Sequence, residues 1–508
     1  MPLPGQNQPY WISQSNCRQF NVLDGDLDVD VAVVGGGITG LTTAILLQDL
    51  GKRVAVVEMN RVGAGTTGHS TGHLDNWLDE LWHVAVQKFG ETRTRLVAEA
   101  RTAAIDVIER WDAEFKINSD FRRIPGYLYA EDESSAGELE KEFKASRGLG
   151  LNVEKIKQAP IPFRHAWALI SPRMARCNPL QYVCGLARVF TERGGILFEA
   201  TRAQEFNEED GRCSVVTNRG TINANAIALA GHAALFGLYS IETRVYPHQS
   251  YVIAPRIEQD VPDALLWDTV EPYHYTRRAS SADQHLAVIG GADHPTGQRV
   301  DTEQCFRELE QYARDRYQVQ QIEHRWSHEY FTTADTLPYI GRIPDYDNIY
   351  IATGFSGDGL TFGTAAGILM ADLITGTPNE WAAVFTPARV KPAASASRFT
   401  SGVFHMAWHY IGDRYVTGDD IKSVNDLKPG EGGIITIEKE KYAVYKDESG
   451  DIHSVSPVCQ HMGCIVHWNN AERTWDCPCH GGRYTCYGEN LTGPPKQPLQ
   501  QKPIEQLV

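Results

Sequence analysis

The stretch VDVAVVGGGITG, residues 29–40, decides the fold of the first part of this chain. The β-branched run from Val29 to Val34 predicts a buried parallel strand, and the apolar spacing of Leu41 to Leu50 predicts a helix that ends before Gly51. A second predicted strand, residues 53–57, finishes in the acidic residue Glu58. This order of strand, glycine turn, helix and strand is the layout of an α/β dinucleotide-binding fold.

The glycine turn has the G-x-G-x-x-G spacing, with Gly35, Gly37 and Gly40 at its three glycine positions. Glycines there let the backbone approach a pyrophosphate at the helix N-terminus. Glu58 follows at the distance where an acidic side chain bonds an adenosine ribose hydroxyl. The alternative, glycines that only make a tight turn, is disfavoured because both flanking strands and the acidic residue are present.

Residues 348–363, NIYIATGFSGDGLTFG, indicate which dinucleotide is bound. They predict a strand over 349–352, glycine-rich turns and then a helix over 365–373. The segment resembles the closing motif of the D-amino-acid-oxidase superfamily of FAD-dependent amine oxidoreductases. Residues 178–180, 228–231 and 335–341 resemble further motifs of that superfamily in the same order. The resemblance implies FAD, with contacts from Gly231, Gly354, Gly357, Gly359, Leu360 and Thr361.

Residues 65–69, GTTGH, follow Glu58 and are expected to face the flavin. They resemble the GSTWH segment of dimethylglycine-dehydrogenase-like enzymes, in which the histidine is bonded covalently to the flavin. Gly68 replaces the tryptophan of that segment, so the match is partial. Thr66, Thr67 and His69 are therefore predicted to bind FAD, and a covalent bond to His69 and a non-covalent contact both stay open.

Residues 81–154 and 244–325 are expected to form an α+β substrate domain, a sheet that covers the flavin in the same superfamily. Aromatic residues at strand spacing, such as Tyr273 and Tyr275, belong either to its core or to the substrate site. Arg277 and Arg278 are candidates for binding a carboxylate, although exposure at the surface is the expected alternative. The sequence assigns no catalytic residue.

Near the C-terminus the chain carries Cys459-x-His461 and, after a gap of fifteen residues, Cys477-x-x-His480. Two cysteines and two histidines in this order are the ligands of a mixed-ligand 2Fe–2S cluster, in which the cysteines hold one iron and the histidines the other. A structural zinc site is the alternative, but zinc sites prefer other spacings.

About ninety C-terminal residues resemble a Rieske domain, of the kind found in respiratory and photosynthetic cytochrome complexes. That resemblance implies a disulfide between Cys464 and Cys479, a hydrogen bond from Tyr484 to a ligand sulfur, and a covering loop, GPPKQPL, over residues 493–499. Gly482 stands where those proteins have a serine that bonds a bridging sulfide. Fewer hydrogen bonds to the cluster predict a lower reduction potential.

The composition sets the class of protein. The 508 residues carry 48 basic and 64 acidic side chains, a net charge of −16, which argues against nucleic-acid partners. No signal peptide and no membrane-spanning stretch are visible, so a cytoplasmic protein is expected. The remaining cysteines are expected to be buried, inert thiols: Cys17, Cys177, Cys184, Cys213 and Cys305.

These observations predict an FAD-dependent oxidoreductase over residues 25–385, with FAD-binding pieces at about 25–80, 155–243 and 326–385. A linker over 386–415, whose aromatic segment 404–410 is expected to dock on a domain, leads to a small all-β Rieske domain over 416–508. No D-x2-H-x4-H iron site is present, which removes a Rieske oxygenase.

The expected function is oxidation of a C–N bond in a small amine or amino acid. Electrons would pass from reduced FAD through the cluster to an external one-electron carrier. The alternative is a flavin–Rieske electron-transfer component, or a redox sensor, without amine turnover of its own. The substrate, the direction of electron flow and the oligomeric state stay open.

Overall fold

The computed structural model describes residues 7–133, 136–234, 239–299, 301–389, 409, 412–413 and 420–502. Its strands are β1 Leu27–Asp28, β2 Val31–Val34, β3 Val54–Val57, β4 His73–Leu74, β5 Arg122–Ala130, β6 Glu154–Ile156, β7 Trp167–Arg176, β8 Ile196–Phe198, β9 Ala203–Glu209, β10 Arg212–Thr217, β11 Thr221–Ala224, β12 Ala226–Leu229, β13 Val245–Ile257, β14 Leu265–Asp268, β15 Tyr275–Arg278, β16 Ala287–Pro295, β17 Val319–Thr333, β18 Tyr339–Arg342, β19 Ile349–Thr353, β20 Gly432–Ile437, β21 Glu440–Lys446, β22 Ile452–Val455, β23 His467–Asn469, β24 Thr474–Asp476, β25 Arg483–Thr485 and β26 Asn490–Thr492. Its α-helices are α1 Trp11–Gln14, α2 Ile38–Asp49, α3 Thr66–His69, α4 Trp82–Phe89, α5 Glu91–Glu114, α6 Ala136–Gly148, α7 Pro179–Glu192, α8 Tyr239–Glu242, α9 Glu303–Arg316, α10 Gly359–Thr375 and α11 Ala382–Phe385.

The predicted dinucleotide fold is a six-stranded sheet in the order β18-β19-β12-β2-β3-β8. Five of its strands pair in parallel, and β18 is antiparallel to β19 at one edge. All four residues of β2 and of β3 are buried, as expected of strands covered on both faces. A smaller sheet lies beside it, in the order β1-β11-β10-β9. Its strands come from the first two segments that the sequence assigned to FAD binding.

Helices α2 and α10 pack closely because glycines remove side chains from their contact. A Cβ at Gly367 would lie 2.6 Å from the Cβ of Thr42, and one at Gly363 would lie 2.8 Å from Cγ2 of Ile38. Helix α10 begins at Gly359, six residues before the predicted start. The glycines of its first turns have little helix propensity, and packing against α2 stabilises the helix there. Helix α2 likewise begins at Ile38, earlier than predicted.

A nine-stranded sheet covers the opening of the dinucleotide fold, in the order β17-β13-β16-β15-β14-β5-β7-β4 with β6 paired to β7. It is wider than the segments predicted for the substrate domain. Strands β4 and β7, and the last part of β17, belong to segments that the sequence assigned to FAD binding. The long strand β17 therefore runs through the predicted boundary at residues 325–326.

The C-terminal region contains two small antiparallel sheets, β20-β21-β22 and β23-β24-β25-β26. Hydrogen bonds join it to the rest of the chain. Thr302 Oγ1 donates to Asn469 Oδ1 at 2.7 Å, and Ser327 Oγ donates to Glu472 Oε1 at 2.7 Å. The two parts are thus packed against each other along β17 and the start of α9.

The expectation for two of the scattered cysteines has a different outcome. Cys17 and Cys184, predicted as free thiols, form a disulfide in the structure, because α1 and α7 bring them together across a separation of 167 residues. Cys177, Cys213 and Cys305 are buried and free, as predicted. Most of the linker, including residues 404–408, lies outside the described residues. In the described ranges, no helix has the length and apolar character needed to cross a membrane.

Candidate functional site

The glycine turn opens onto a cavity of about 1690 Å³, which we name the glycine-loop cavity. Gly35 has φ of +115°, and a Cβ there would lie 2.5 Å from the carbonyl oxygen of Ala230. Only glycine fits this approach of the turn to the end of β12. The backbone at the N-terminus of α2 is thereby left open to a ligand.

Glu58 lies in this cavity at the end of β3. Its carboxylate accepts hydrogen bonds from the backbone N–H of Gly36 at 2.8 Å and of Asn60 at 2.9 Å. Burial raises the pKa of Glu58, and those two N–H groups oppose the increase. Thr67 Oγ1 accepts from the N–H of Ile38 at 3.2 Å, so the loop after Glu58 closes over the start of α2.

Three histidines line the same cavity: His69 is buried, and His232 and His328 are partly buried. Nδ1 of His69 lies 3.0 Å from the carbonyl oxygen of Gly65, while its buried Nε2 has no partner among the described residues. Nε2 of His232 lies 3.1 Å from Thr66 Oγ1 and 3.1 Å from the carbonyl oxygen of Glu329. Burial lowers the pKa of His69 and His232 to about 4 and that of His328 to about 3, so all three are neutral at pH 7.

Most of the residues predicted to bind FAD line this cavity. The predicted residues that line it are Gly35, Gly37, Glu58, Thr66, Thr67, His69, Gly231, Gly357, Gly359 and Leu360. Gly40, Gly354 and Thr361 do not line it. Gly40 packs against the carbonyl of Gly35, Gly354 makes a turn at φ of +77°, and the hydroxyl of Thr361 points to the carbonyl of Asp75.

Part of the cavity wall comes from the C-terminal region, which the sequence did not indicate. Arg483 and the segment 492–496 line the cavity beside the glycine turn. Arg202 Nη2 donates to the carbonyl of Pro495 at 2.7 Å and fixes this segment. Such contacts, like those of His232 and His328, join distant parts of the chain and leave no local sequence signal.

The four predicted cluster ligands come together at one end of the C-terminal region. The rings of His461 and His480 lie 4.9 Å apart, and a hydrogen bond with Cys477 lowers the pKa of the Cys459 thiol to about 7. The hydroxyl of Tyr484 lies 3.2 Å from Cys459 Sγ, as predicted. Nδ1 of His461 is buried without a described hydrogen-bond partner, which suits a metal ligand.

The loops around these ligands follow the prediction. Cys464 and Cys479 form a disulfide with an S–S distance of 2.02 Å. A Cβ at Gly482 would lie 2.6 Å from Cγ of Pro495 and 3.4 Å from Cys459 Sγ. The loop over residues 493–499 therefore leaves no room for the serine that the related domains carry at this position.

The histidine ligands are covered by the N-terminal part of the chain. The side chain of His461 is 12% exposed, and its Nε2 lies 3.5 Å from Oε1 of Glu242. His480 is 9% exposed. A Cβ at Gly481, the next residue, would lie 2.8 Å from the ring of Phe331 on β17. Strand β17 also supplies Ser327, His328, Glu329 and Tyr330 to the glycine-loop cavity.

A second cavity, of about 1030 Å³, adjoins the first under the nine-stranded sheet, and we name it the acidic cavity. The two cavities share Ser70, His328, Tyr330 and Gly357. Tyr273 and Tyr275 line the acidic cavity, together with seven acidic residues: Asp75, Asp79, Glu138, Asp268, Glu271, Asp293 and Asp358.

The arginines considered as carboxylate ligands do not line this cavity. The expectation of surface exposure is wrong for Arg277, which is fully buried. Arg277 belongs to β15, and its guanidinium donates to the carbonyl of Cys177 at 3.1 Å and to that of Thr71 in the loop before β4. Arg278 donates to the carbonyl of Val261 at 2.6 Å.

Comparison with known proteins agrees with this geometry. Residues 30–373 match the family model of FAD dependent oxidoreductases, and residues 419–503 match that of the Rieske [2Fe-2S] domain. The chain is 32% identical over 498 residues, 97% of each chain, to the Bacillus subtilis protein YhfW, which carries the name of a Rieske 2Fe-2S iron-sulfur protein.

The N-terminal part has further relatives. It is 26% identical to the gamma-glutamylputrescine oxidoreductase of Escherichia coli over 386 residues, 73% of this chain and 89% of the other. The crystal structure of glycine oxidase from Geobacillus kaustophilus superposes with a TM-score of 0.63 at 21% identity, over 72% of this chain and 99% of that one. That similarity shows the shared fold.

The cofactors follow from the families and fit the residues present. The glycine turn and the unpartnered Nε2 of His69 suit FAD in the glycine-loop cavity. The paired thiols and the unpartnered Nδ1 of His461 suit a 2Fe–2S cluster. This chain therefore belongs to the family of FAD dependent oxidoreductases, here joined to a C-terminal Rieske [2Fe-2S] domain.

Proposed function

We propose that this protein oxidises the C–N bond of a small amine or amino acid and passes the electrons through its Rieske cluster to an external one-electron carrier. The observation that carries the proposal is the shared wall of the glycine-loop cavity, where Arg483 and residues 492–496 of the Rieske domain face the glycine turn. Because residues of the Rieske domain line the flavin cavity, the two cofactor sites are close enough to suit electron exchange within a single chain.

The acidic cavity is the proposed substrate chamber because it adjoins the flavin site and is lined by Tyr273, Tyr275 and Tyr330. When bound, FAD supplies the acceptor for a hydride from the carbon next to nitrogen. Oxidation of a neutral amine in this way would yield an imine, because the carbon gives up a hydride that carries both electrons and the nitrogen loses one proton; water would then hydrolyse the imine. The chain's own residues position the amine and exclude bulk water.

The cover over the histidine ligands supports electron flow from flavin to cluster. His461 faces Glu242, and the loop with His480 contacts Phe331, so the histidine edge points into the flavoprotein. The cluster accepts single electrons. Each turnover therefore requires two successive transfers to the cluster and two transfers onward to the carrier.

An anaerobic stopped-flow experiment tests this proposal. The protein with both cofactors is mixed with a panel of amines and amino acids, and flavin absorbance and the cluster's circular dichroism are followed together. We expect flavin bleaching first and cluster reduction afterwards. A cluster that stays oxidised while the flavin is fully reduced would contradict the proposal.

A ligand variant supplies the matched control. Cys459→Ser removes one cluster ligand while leaving the residues that line the flavin cavity unchanged. The variant should retain flavin bleaching by the same substrate and lose reduction of an external one-electron dye. If no amine bleaches the wild-type flavin, and a reduced carrier protein instead reduces cluster and flavin, the protein is an electron-transfer component.

A further inference from the structure

Seven acidic side chains line the acidic cavity, and none of its described lining residues is lysine or arginine. Outside the lining, Glu138 pairs with Lys141 and Asp268 pairs with His274. Arg101 lies buried beneath the lining, where it forms ion pairs with Asp75 at 2.8 Å and with Asp358 at 3.0 Å. One guanidinium thus serves two carboxylates.

Two further carboxylates accept their hydrogen bonds from neutral groups, although the positive charge of Arg101 also acts on Asp79. Asp79 accepts hydrogen bonds from the hydroxyl of Tyr273 and from the N–H of Gly357, the latter at 3.2 Å. Oδ2 of Asp293 accepts from the hydroxyl of Tyr330 at 3.0 Å. Its buried Oδ1 has no hydrogen-bond partner in the described geometry, although the nearby hydroxyl of Ser250 lowers the pKa of Asp293. Gly357 and Tyr330 line both cavities, so these carboxylates lie close to the junction.

The pKa shifts agree with a site suited to a cation. Burial raises the pKa of Asp293 to about 7 and that of Asp358 to about 8. Burial also raises the pKa of Asp79, although its hydrogen bond from Tyr273 opposes the increase. A bound cation would reverse these shifts because it favours the ionised carboxylates.

The aromatic walls give a second, independent indication of the ligand. The rings of Trp77 and Trp267 lie 5.6 Å apart and nearly perpendicular, at 86°. Trp77 is only 5% exposed and lines the cavity. Aromatic faces combined with carboxylates are the surroundings in which proteins bind ammonium groups.

We infer that the substrate is a diamine or polyamine, with one amine at the junction of the cavities and a second ammonium group held by Asp79, Asp293 and the aromatic walls. The inference rests on the proposed function and names its substrate class. An α-amino acid fits poorly, since its carboxylate would face these acids without a described cation to pair with. Oxidation of one primary amine end would yield an imine, then an aminoaldehyde and ammonia, with two electrons leaving through the flavin.

The test uses probes of matched length on the protein with both cofactors. Flavin bleaching and binding spectra are measured anaerobically with 1,4-diaminobutane, spermidine, n-butylamine, 4-aminobutyrate, glycine and sarcosine. We expect kcat/KM for the two polyamines to exceed that for n-butylamine and 4-aminobutyrate by about tenfold or more, as expected of a paired buried charge.

Variants locate the effect in the cavity. Asp293→Asn and Asp79→Asn should each lower kcat/KM for 1,4-diaminobutane by about tenfold while changing that for n-butylamine by less than about threefold. Asp315→Asn, on the exposed face of α9, is the control and should change neither. Having two variants keeps the test valid if one of them fails to fold.

The outcomes separate the two proposals. If glycine or sarcosine bleaches the flavin and the polyamines do not, the substrate class is wrong while amine oxidation stands. If the polyamines bind, with an affinity that Asp293→Asn weakens, but no compound bleaches the flavin, the cation site stands and the proposed oxidation fails. If the polyamines neither bind nor bleach, the inference is overturned.

Discussion

At the scale of single residues, Tyr484 makes a contact with a predicted cluster ligand, Cys459. It is fully buried, and its hydroxyl lies 3.2 Å from Cys459 Sγ while accepting the N–H of Gln460 at 3.0 Å. Because the Tyr484 oxygen accepts from Gln460, its own O–H is available to donate a hydrogen bond to the sulfur of Cys459. A hydrogen bond to a ligand sulfur stabilises the reduced, more negative cluster and raises its potential.

Tyr484→Phe should therefore lower the reduction potential of the cluster, by tens of millivolts. The measurement is a redox titration followed by electron paramagnetic resonance. Tyr487→Phe changes the same residue type at a position that is 44% exposed and should leave the potential unchanged. Equal potentials in wild type and Tyr484→Phe would show that the hydroxyl does not bond the sulfur.

Single residues also show where sequence reasoning succeeds. Cys459, His461, Cys477 and His480 could be identified because their spacing within two short loops carries the signal. Arg483 could not be assigned to the flavin cavity, although it lies three residues from His480. Its position there depends on the docking of the whole domain on β17, which no local pattern encodes.

At the scale of elements, the dinucleotide fold depends on close contacts made by glycine. A Cβ at Gly40 would collide with the carbonyl oxygen of Gly35 and lie 3.2 Å from Cγ1 of Val33. Gly40 therefore does not touch the cofactor site directly, and its place in the motif is explained by packing of α2 on the turn. The strand and helix order was predictable from apolar spacing, whereas the early start of α10 depends on tertiary packing.

Gly40→Ala should lower the free energy of unfolding by about 2–4 kcal/mol and weaken FAD binding, because α2 must move away from the turn. Urea denaturation and the flavin content after dialysis check this. Gly137→Ala, in α6, has open space around its Cβ and should change stability by less than about 1 kcal/mol. Retention of both stability and flavin by Gly40→Ala would refute the packing argument.

At the scale of the whole molecule, the two domains meet around buried charges. Glu329 on β17 lies near Arg483 of the Rieske domain. Burial raises the pKa of Glu329 to about 8, although the positive charge of Arg483 opposes the increase. The folded protein therefore holds this carboxyl protonated at pH 6, whereas the unfolded chain ionises it near pH 4.

The free energy of unfolding should accordingly fall as pH rises towards 8, because the unfolded chain has already released the proton that the folded chain keeps. Between pH 6 and pH 8 the part of this loss due to Glu329 is on the order of 1–3 kcal/mol. Glu329→Gln should remove that part and leave the part due to Asp293 and Asp358, whose pKa values burial also raises into this range. Urea denaturation at both pH values measures the effect.

Glu323→Gln on the same strand is the control. A hydrogen bond with Arg256 lowers the pKa of Glu323, so this carboxyl does not titrate between pH 6 and pH 8. Its substitution should leave the pH dependence of the wild type in place. A wild-type protein that is equally stable at both pH values would contradict the raised pKa of Glu329.

The cover over His461 and His480 has one more consequence. A reduced centre in contact with water can lose electrons to any small oxidant that diffuses to it, including dissolved oxygen. Here Glu242, Phe331 and the loop of residues 493–499 close over the cluster ligands. At this edge the fold therefore keeps small oxidants away from the cluster ligands.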